Sequence, residues 1–379
     1  MKVMFVVTHL LGTGHLSRAL TLGRAFAGAG HRVCVVSGGM PAPQLDHAGM
    51  DLCQLPPLRS DGVDFTRLLT EGGVPADASF LAARQAALLE EFRRFCPDVL
   101  ITELYPFGRR SLKAEFLNLV TTAKAQQAPP VVLSSIRDIL APPSKPAKAE
   151  EAEAVVERYF DAVLVHSDPS ATRLDVSWPV TPQLAGKLRY TGYVAPPAAG
   201  PHPVGEGKGE IIVSAGGGPV GQPIFHAAIE TARKMTNRRW RLLVGGADAP
   251  ARAAELQALA ANAPVLAEPA RPDFRAMLYQ AAASVSMCGY NTALDLMQAG
   301  TPSVIVPFDD GKEVEQGLRA RALSGMPGFA VVESVDLTAE NLERALSKVM
   351  RDPPRDSGGL QFNGAAESVR IAEELEALR

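Results

Sequence analysis

Short apolar runs alternate along this chain with longer segments whose apolar residues recur every three or four positions. The short runs are typical of buried strands, and the longer period is typical of helices packed on a sheet. The pattern predicts helices at 15–29, 222–234 and 365–379, and strands at 3–7, 32–37, 98–102, 131–135, 162–166, 190–194, 210–215, 240–244, 265–267, 284–287 and 303–306. Strands and helices that alternate in this way predict an α/β fold with parallel sheets and crossover helices.

A stretch dense in proline and glycine separates two such series. These residues do not readily continue a strand or a helix, and 379 residues exceed one ordinary hydrophobic core. We therefore predict a first domain at 1–195, a linker at 196–209, a second domain at 210–362, and a C-terminal helix at 363–379 that is a candidate to cross back to the first domain.

Composition and charge restrict the function. The 38 basic and 41 acidic residues give a net charge of −3, which provides no footprint for nucleic acid. The pairs Arg109-Arg110 and Arg238-Arg239 are interpreted as solvated surface. The cysteines lack metal-ligand spacing, so we predict no metal site. With no long apolar run and no signal-peptide pattern at the start, a cytoplasmic protein is expected, and peripheral contact with the inner face of the membrane stays open.

The segment 284–320 carries the clearest functional pattern, a strand that runs into a glycine turn and then a helix. A helix N-terminus attracts phosphate through its unpaired N–H groups and the positive end of its dipole. Asp295, one turn further on, is placed to accept hydrogen bonds from ribose hydroxyls; an acid that only stabilises the helix dipole is the alternative. The predicted diphosphate contacts are Gly289, Tyr290, Asn291 and Thr292.

A second glycine-rich turn, Gly216-Gly217-Gly218, follows the first strand of the second domain. Without Cβ atoms its backbone amides can approach a phosphate, although a simple tight turn would have the same sequence. Because parallel strands end at the same edge of a sheet, we expect this turn and the one at Gly289 to face one crevice. Together they predict half of a nucleoside-diphosphate site.

In the first domain, the turn after the first strand places Gly14 and His15 at a helix N-terminus. The dipole there disfavours imidazolium, so His15 is a candidate general base, or else a residue that only caps or packs. Glu103, after a later strand, is a second candidate base, and Arg137-Asp138 are candidate contacts to the acceptor or to phosphate. A structural salt bridge between Glu103 and Arg137 is the alternative. The second strand lacks the terminal acid that an NAD(P) site needs.

These segments resemble the MurG-like glycosyltransferases of family 28, most strongly at 12–15 and 288–320. The resemblance implies a GT-B architecture, in which two Rossmann-like domains face an interdomain cleft and the second holds most of the sugar nucleotide. Carried over by position, the donor site comprises Gly14, Gly216, Gly217, Gly218, Arg271, Gly289, Tyr290, Asn291, Thr292, Asp295, Glu315 and Gln316.

The resemblance also implies individual roles. Arg271 falls near the place where backbone groups bind uracil, and Asp295 stands where the family has an acid on the ribose. Glu315 and Gln316 stand where the family has two glutamines on the donor hexose. The glutamate is a departure, so a donor sugar other than N-acetylglucosamine is open.

The resulting hypothesis is an inverting, metal-independent hexosyltransferase. It would move a sugar from a nucleotide-sugar donor, with UDP favoured, to a hydroxyl of a small-molecule, lipid or glycan acceptor. No cofactor is expected beyond the nucleotide sugar itself. Two alternatives stay open: a hydrolysing UDP-sugar 2-epimerase of the same architecture, and a non-catalytic subunit that binds sugar nucleotides for a partner.

Overall fold

The computed structural model describes residues 1–60, 67–216, 220–309, 313–352 and 359–379. They form two compact units, one made of Met1–Ala195 with Gln361–Arg379 and the other of Pro196–Leu360. Each unit is built on a parallel sheet with helices between most of its strands, which confirms the α/β prediction.

Before residue 196, the described residues of the first unit form nine strands and five helices. The strands are β1 (Lys2–Val7), β2 (Arg32–Ser37), β3 (Asp51–Gln54), β4 (Leu58–Arg59), β5 (Leu69–Thr70), β6 (Val99–Glu103), β7 (Val131–Arg137), β8 (Ala162–His166) and β9 (Leu188–Tyr190). The helices are α1 (Gly14–Gly28), α2 (Ala78–Phe95), α3 (Lys113–Lys124), α4 (Pro146–Tyr159) and α5 (Pro182–Lys187). The parallel sheet has the order β3-β2-β1-β6-β7-β8-β9, and β4 pairs with β5 as a separate antiparallel ribbon.

Apolar side chains cover both faces of this sheet. On one face, α2, α3 and α4 pack their apolar stripes, with Leu88, Phe116 and Val156 fully or almost fully buried. On the other face lies α1, which contributes Leu16 and Leu20. A parallel sheet covered on both faces explains why its central strands are continuous apolar runs instead of alternating ones.

The end of β2 is occupied by a buried arginine. Arg84 of α2 donates Nε to Oε2 of Glu115 and Nη1 to the carbonyl oxygen of Gly38, each at 2.8 Å. A Cβ on Gly38 would lie 1.9 Å from Nη2 of Arg84, so only glycine fits there. The position where a dinucleotide-binding fold carries an acid on the ribose is therefore taken by a cation paired within the unit.

The last strand of this unit differs from the predicted 190–194, because β9 ends at Tyr190. Gly192 has a φ of 79°, and a Cβ there would lie 2.8 Å from the carbonyl oxygen of Gln361. The backbone N–H of Tyr193 donates to that oxygen at 2.7 Å, and Val194 forms an isolated bridge with Asn363. After the glycine turn the chain therefore pairs with the C-terminal segment and not with the sheet.

In the second unit, the part of the chain that the structure describes forms six strands and six helices in strict alternation. They are β10 (Ile211–Ser214), α6 (Gln222–Lys234), β11 (Trp240–Val244), α7 (Ala249–Ala260), β12 (Val265–Pro269), α8 (Phe274–Tyr279), β13 (Ala283–Ser286), α9 (Tyr290–Ala299), β14 (Ser303–Ile305), α10 (Glu315–Leu323), β15 (Phe329–Val331) and α11 (Ala339–Val349). The parallel strands have the order β12-β11-β10-β13-β14-β15. Since β10 and β13 are neighbours, the turns that follow them lie at one edge of the sheet.

The final helix, α12 (Gly364–Ala377), belongs to the first unit. It packs against α1, and its Val369, Ile371 and Ala372 are buried in the same core as Leu16. Of the helices that the structure describes, none combines the length and the hydrophobicity needed to cross a bilayer.

Candidate active site

His15 and Glu103 lie against each other at the C-terminal edge of the first unit's sheet. His15 is the second residue of α1, and Glu103 is the last residue of β6, which pairs with β1. Nδ1 of His15 lies 2.7 Å from Oε1 of Glu103. An ionised carboxylate can only accept, so Nδ1 carries the proton and Nε2 is the basic ring nitrogen. The imidazole is 20% exposed, whereas the Glu103 side chain is 3% exposed.

Two arginines complete the surroundings of this carboxylate. Arg18, one turn after His15 on α1, donates Nη2 to Oε1 of Glu103. Nη2 of Arg109 lies 3.8 Å from the other oxygen, Oε2. Burial by itself would raise the pKa of Glu103, but His15, Arg18 and Arg109 outweigh it and hold the pKa well below its usual range. Glu103 is therefore ionised at neutral pH and has little basicity.

Burial lowers the pKa of His15 to about 4, against the opposing effect of the Glu103 charge. The imidazole is therefore neutral at pH 7 and can accept a proton through Nε2. If it does, the adjacent carboxylate stabilises the imidazolium that forms. In this arrangement His15 can act as the base and Glu103 can orient its ring. The sequence had offered these two residues as alternative bases.

The interpretation of Arg109-Arg110 as a solvated pair is wrong for its first member. The Arg109 side chain is 10% exposed, whereas Arg110 is exposed. Arg109 also has a φ of 58°, a left-handed conformation that costs a non-glycine residue roughly 1–2 kcal/mol. This left-handed residue places the side chain of Arg109 in the interior and that of Arg110 in solvent. No sequence pattern predicts it. Arg18 was missed as well, although its position three residues after His15 on a helix is a usable signal.

The other candidates in this unit lie close by in the fold. Arg137 ends β7, the strand next to β6, and Asp138 follows it. Asp138 is buried, and its Oδ1 accepts the N–H of Ile139 at 2.8 Å. Gly14 begins α1, and a Cβ built there would meet no atom within 4 Å. Glu103 forms ion pairs with His15, Arg18 and Arg109, and a salt bridge between Glu103 and Arg137 stays a prediction.

In the second unit, the turn after β13 has the geometry of an anion site. Gly289 precedes α9 without a side-chain cap, and a Cβ on it would meet no atom within 4 Å. The first intrahelical bond runs from the N–H of Ala293 to the carbonyl oxygen of Gly289, at 2.9 Å. The amides of Tyr290, Asn291 and Thr292 thus form the first turn, whose N–H groups have no carbonyl of the same helix to bind.

The neighbouring turn after β10 is described only as far as Gly216, which has a φ of 80° and open space around its Cβ position. Gly217 and Gly218 lie outside the described residues. Because β10 pairs with β13, Gly216 and Gly289 follow adjacent strands at one edge of the sheet, as the crevice prediction requires.

Asp295 lies in the second turn of α9, as predicted. Its Oδ1 accepts Nε of Arg275 at 2.8 Å, and Arg275 also donates Nη2 to Oε1 of Gln298 at 2.7 Å. Burial raises the pKa of Asp295 to about 6, and Arg275 limits the rise. The carboxylate therefore titrates close to neutral pH. Arg275 was not recognised from the sequence.

Gln316 joins the two turns that follow β13 and β14. Its Oε1 accepts the N–H of Cys288 at 2.9 Å and the N–H of Phe308 at 3.2 Å. Glu315 is the first residue of α10, and its own N–H donates to Oε1 of Glu313 at 2.7 Å. The amide oxygen of Gln316 is thus engaged within the unit, and its NH₂ group is the part that can serve a ligand.

Arg271 belongs to an ion-pair network. It donates Nη2 to Oδ2 of Asp273 at 2.6 Å, and its Nη1 lies 2.5 Å from Oε2 of Glu206. His202, Glu206 and Asp273 also come close enough together to be considered as metal ligands. Because Arg271 forms ion pairs with both carboxylates and His202 hydrogen-bonds to Asp273, the cluster is better described as a salt-bridge network that fixes the position of Arg271.

Sequence comparisons connect the second unit to one family. Residues 217–374 match the glycosyltransferase family 28 C-terminal domain. The chain is 27% identical over 258 residues to the UDP-N-acetylglucosamine–N-acetylmuramyl-(pentapeptide) pyrophosphoryl-undecaprenol N-acetylglucosamine transferase of Phenylobacterium zucineum (strain HLK1), across 66% of this chain and 68% of that protein. A protein of the same description from Rhodospirillum centenum (strain ATCC 51521 / SW) is 30% identical over 156 residues, which is 40% of each chain.

Solved structures resemble the whole chain. MurG of Acinetobacter baumannii matches with a TM-score of 0.66 and 14% identity, over 99% of this chain and 100% of that one. The glycotransferase of kitacinnamycin matches with a TM-score of 0.67 and 16% identity, over 99% and 98%. Likeness at such low identity concerns the fold, and it confirms the predicted GT-B architecture.

Proposed function

We propose that this chain is a MurG-like glycosyltransferase of family 28, and that it transfers a hexose from a UDP-sugar to an acceptor hydroxyl with inversion and without a metal ion. The observation that carries the mechanistic part is the pairing of Nδ1 of His15 with Glu103 at 2.7 Å, which leaves Nε2 as a neutral base. Peripheral contact with the inner face of a membrane stays a prediction, as does the identity of the acceptor.

The donor is assigned to the second unit. The turn at Gly289 and the first turn of α9 supply N–H groups and the positive end of a helix dipole for the diphosphate. Asp295 follows one turn later, in a position to accept hydrogen bonds from ribose. The names of the sequence relatives specify UDP-N-acetylglucosamine as their donor, which supports a UDP-sugar here.

The reaction then has a simple balance of atoms. Nε2 of His15 takes the proton of the acceptor hydroxyl while its oxygen attacks the anomeric carbon. The bond between that carbon and the diphosphate oxygen breaks, and UDP leaves with the electron pair. Attack from the face opposite the leaving group inverts the anomeric configuration. Glu103 stabilises the imidazolium and keeps the ring in the required orientation.

The same geometry supports the proposal of metal independence. The charge that develops on the departing diphosphate needs stabilisation, and the amides and dipole at the start of α9 provide it without a cation. The carboxylates nearest to a metal-ligand arrangement, Glu206 and Asp273, are neutralised by Arg271. Turnover is therefore expected to persist in the presence of a chelator.

The decisive experiment measures UDP release from UDP-sugars with a pool of hydroxyl acceptors, in the presence of EDTA. His15→Ala should abolish turnover, whereas His47→Ala, which alters an exposed histidine of the same unit, should leave it unchanged. The anomeric coupling constant of the product, read by proton NMR, reports inversion. Thermal shifts with UDP, dTDP, GDP and ADP report the nucleobase. Binding without any turnover would favour a partner subunit, and an epimerised sugar formed without acceptor would favour an epimerase.

A further inference from the structure

The guanidinium of Arg275 connects the proposed ribose contact with the start of the linker. From the first turn of α8, Arg275 donates Nε to Oδ1 of Asp295 at 2.8 Å. Its Nη2 donates to the carbonyl oxygen of Pro197 at 2.8 Å and to Oε1 of Gln298 at 2.7 Å. Gln298 in turn donates Nε2 to the carbonyl oxygen of Pro196 at 3.0 Å. Two side chains thus hold two successive carbonyl groups, and one of them also holds the carboxylate.

The later part of the linker is fixed to α8 by other groups. Nε2 of His202 lies 2.9 Å from Oδ2 of Asp273, and Gln280 donates Nε2 to the carbonyl oxygen of Glu206 at 2.9 Å. These contacts do not involve the ribose contact or its arginine. The two prolines, which are the first residues of the second unit, are therefore the part of the linker whose position is connected with the donor site.

The same arginine favours the charged form of Asp295. Their contact occupies Oδ1 of the carboxylate, so Oδ2 is the oxygen left for a ribose hydroxyl. Burial raises the pKa of Asp295 to about 6, and Arg275 is the charged group that opposes this rise. The linker contributes carbonyl groups to the contact, and α9 contributes the neutral Gln298. Among the described residues at this contact, one cation therefore faces one carboxylate.

We propose that Arg275 is a positioning residue for the donor: it orients the Asp295 carboxylate toward ribose and makes the conformation of Pro196-Pro197 depend on donor binding. The proposal rests on the proposed function, because it takes Asp295 as the ribose contact. A donor that binds more tightly when Arg275 holds both groups stabilises that arrangement. By linkage, the held linker then strengthens donor binding by the same factor.

The first test measures the pH dependence of UDP-sugar binding by isothermal titration. At pH 7, Arg275→Met should bind roughly tenfold more weakly than wild type. Its binding should also reach half of its full strength at a higher pH than the wild-type value of about 6, because Asp295 loses the cation that favours its ionised form. Arg275→Lys retains a cation and should keep a midpoint close to that of wild type.

Arg233→Met is the matched control for this test. Arg233 likewise joins a carboxylate, that of Glu230, to a carbonyl oxygen, that of Leu259, and its loss should change neither the affinity nor the midpoint. If Arg275→Met weakened binding by the same factor at every pH, Arg275 would have a structural role only, and the proposal would be overturned.

The second test follows the linker by NMR of protein labelled at its alanine methyl groups. Ala195 and Ala198 flank the two prolines, and their resonances can be assigned from the variants Ala195→Ser and Ala198→Ser. In wild type and Arg233→Met, saturation with a UDP-sugar should shift both resonances. In Arg275→Met, both should differ from wild type in the free protein and should stay unchanged at saturation.

Gln298→Ala provides a second variant in case Arg275→Met folds poorly. It removes one contact to the linker and leaves the ion pair of Arg275 with Asp295. The linker resonances of the free protein should therefore change, while the pH midpoint of binding stays as in wild type. Linker resonances that respond to the UDP-sugar equally in Arg275→Met and wild type would overturn this inference and leave the donor site standing. If UDP-sugars do not bind to wild type, the proposed function itself fails, and the coupling fails with it.

Discussion

Nδ1 of His15 and Oε1 of Glu103 lie 2.7 Å apart, although the two residues are 88 positions apart in the chain. The contact exists because α1 follows β1, and β6 pairs in parallel with β1, so the start of the helix and the end of the strand meet at one edge. A carboxylate placed in this way fixes the tautomer of the ring. The two residues therefore act as a pair: His15 accepts the proton, and Glu103 holds the ring in the tautomer that can accept it.

The pH dependence of kcat should reflect the lowered pKa of His15. A base with a pKa of about 4 stays neutral above pH 5, so kcat should be flat from pH 6 to 8 and fall to half near pH 4, in place of near 6.5. UDP release at saturating donor measures it, with circular dichroism at each pH to confirm that the protein remains folded. A midpoint near 6.5 would mean that the imidazole is not desolvated as the structure has it.

Glu103→Gln should reduce kcat by about 100-fold or more, because the imidazolium loses its stabilising charge. It should also lower the free energy of unfolding by about 3 kcal/mol, since Arg18 is left buried without its carboxylate. Both quantities are accessible from UDP release and urea unfolding.

Glu115→Gln is the matched control for that variant. It breaks an equally buried pair with Arg84 in the same unit, so a comparable loss of stability is expected with kcat preserved. If both variants lost the same fraction of activity, the effect of Glu103 would be one of folding only.

Asp295 should make donor binding depend on pH. Its pKa of about 6 means that the carboxylate is protonated below that pH and charged above it. An ionised carboxylate accepts ribose hydroxyls better, so affinity for a UDP-sugar should rise from pH 5 to 7 and then level off. Isothermal titration with a UDP-sugar avoids the terminal phosphate of UDP, which itself titrates in this range. Asp295→Asn should bind roughly tenfold more weakly at pH 7, with no such rise; parallel curves for both proteins would remove Asp295 from the ribose site.

Gln316 should separate structural from donor-binding effects. Gln316→Glu keeps an oxygen for the N–H groups of Cys288 and Phe308, so the free energy of unfolding should change little. Gln316→Ala removes both acceptors and should cost about 1–3 kcal/mol. Both variants lack the NH₂ group and should raise the KM for the UDP-sugar. A Gln316→Glu protein as unstable as Gln316→Ala would show that the oxygen contacts are not what holds these turns.

Much of this architecture is readable from the sequence because buried parallel strands are apolar along their whole length. The strands at 32–37, 162–166 and 240–244 were predicted with the bounds that the structure shows. The strands β3 and β15 were missed. Both lie at the edge of a sheet; β3 is polar at both ends, and β15 is only three residues long. β9 ends at Tyr190 and not at the predicted residue 194, because the turn at Gly192 packs against Gln361, which is far away in the sequence.

The parts of the candidate site that could be predicted are those whose function follows from their position between a strand and the next helix. His15, Asp295 and the turn at Gly289 each follow a strand and begin or enter a helix, which is a local pattern. Arg109 and Arg275 are different, because their importance comes from burial and from partners on other elements. Local patterns do not report either property.

The return of α12 to the first unit has a consequence for biosynthesis. Pro196–Leu360 is continuous in the chain, so the second unit can fold as soon as it leaves the ribosome. The first unit starts earlier but lacks Val369 and Ile371, two side chains of its core, until the whole of the second unit has been synthesised. Of the two units, the one whose synthesis starts earlier is therefore the one completed later.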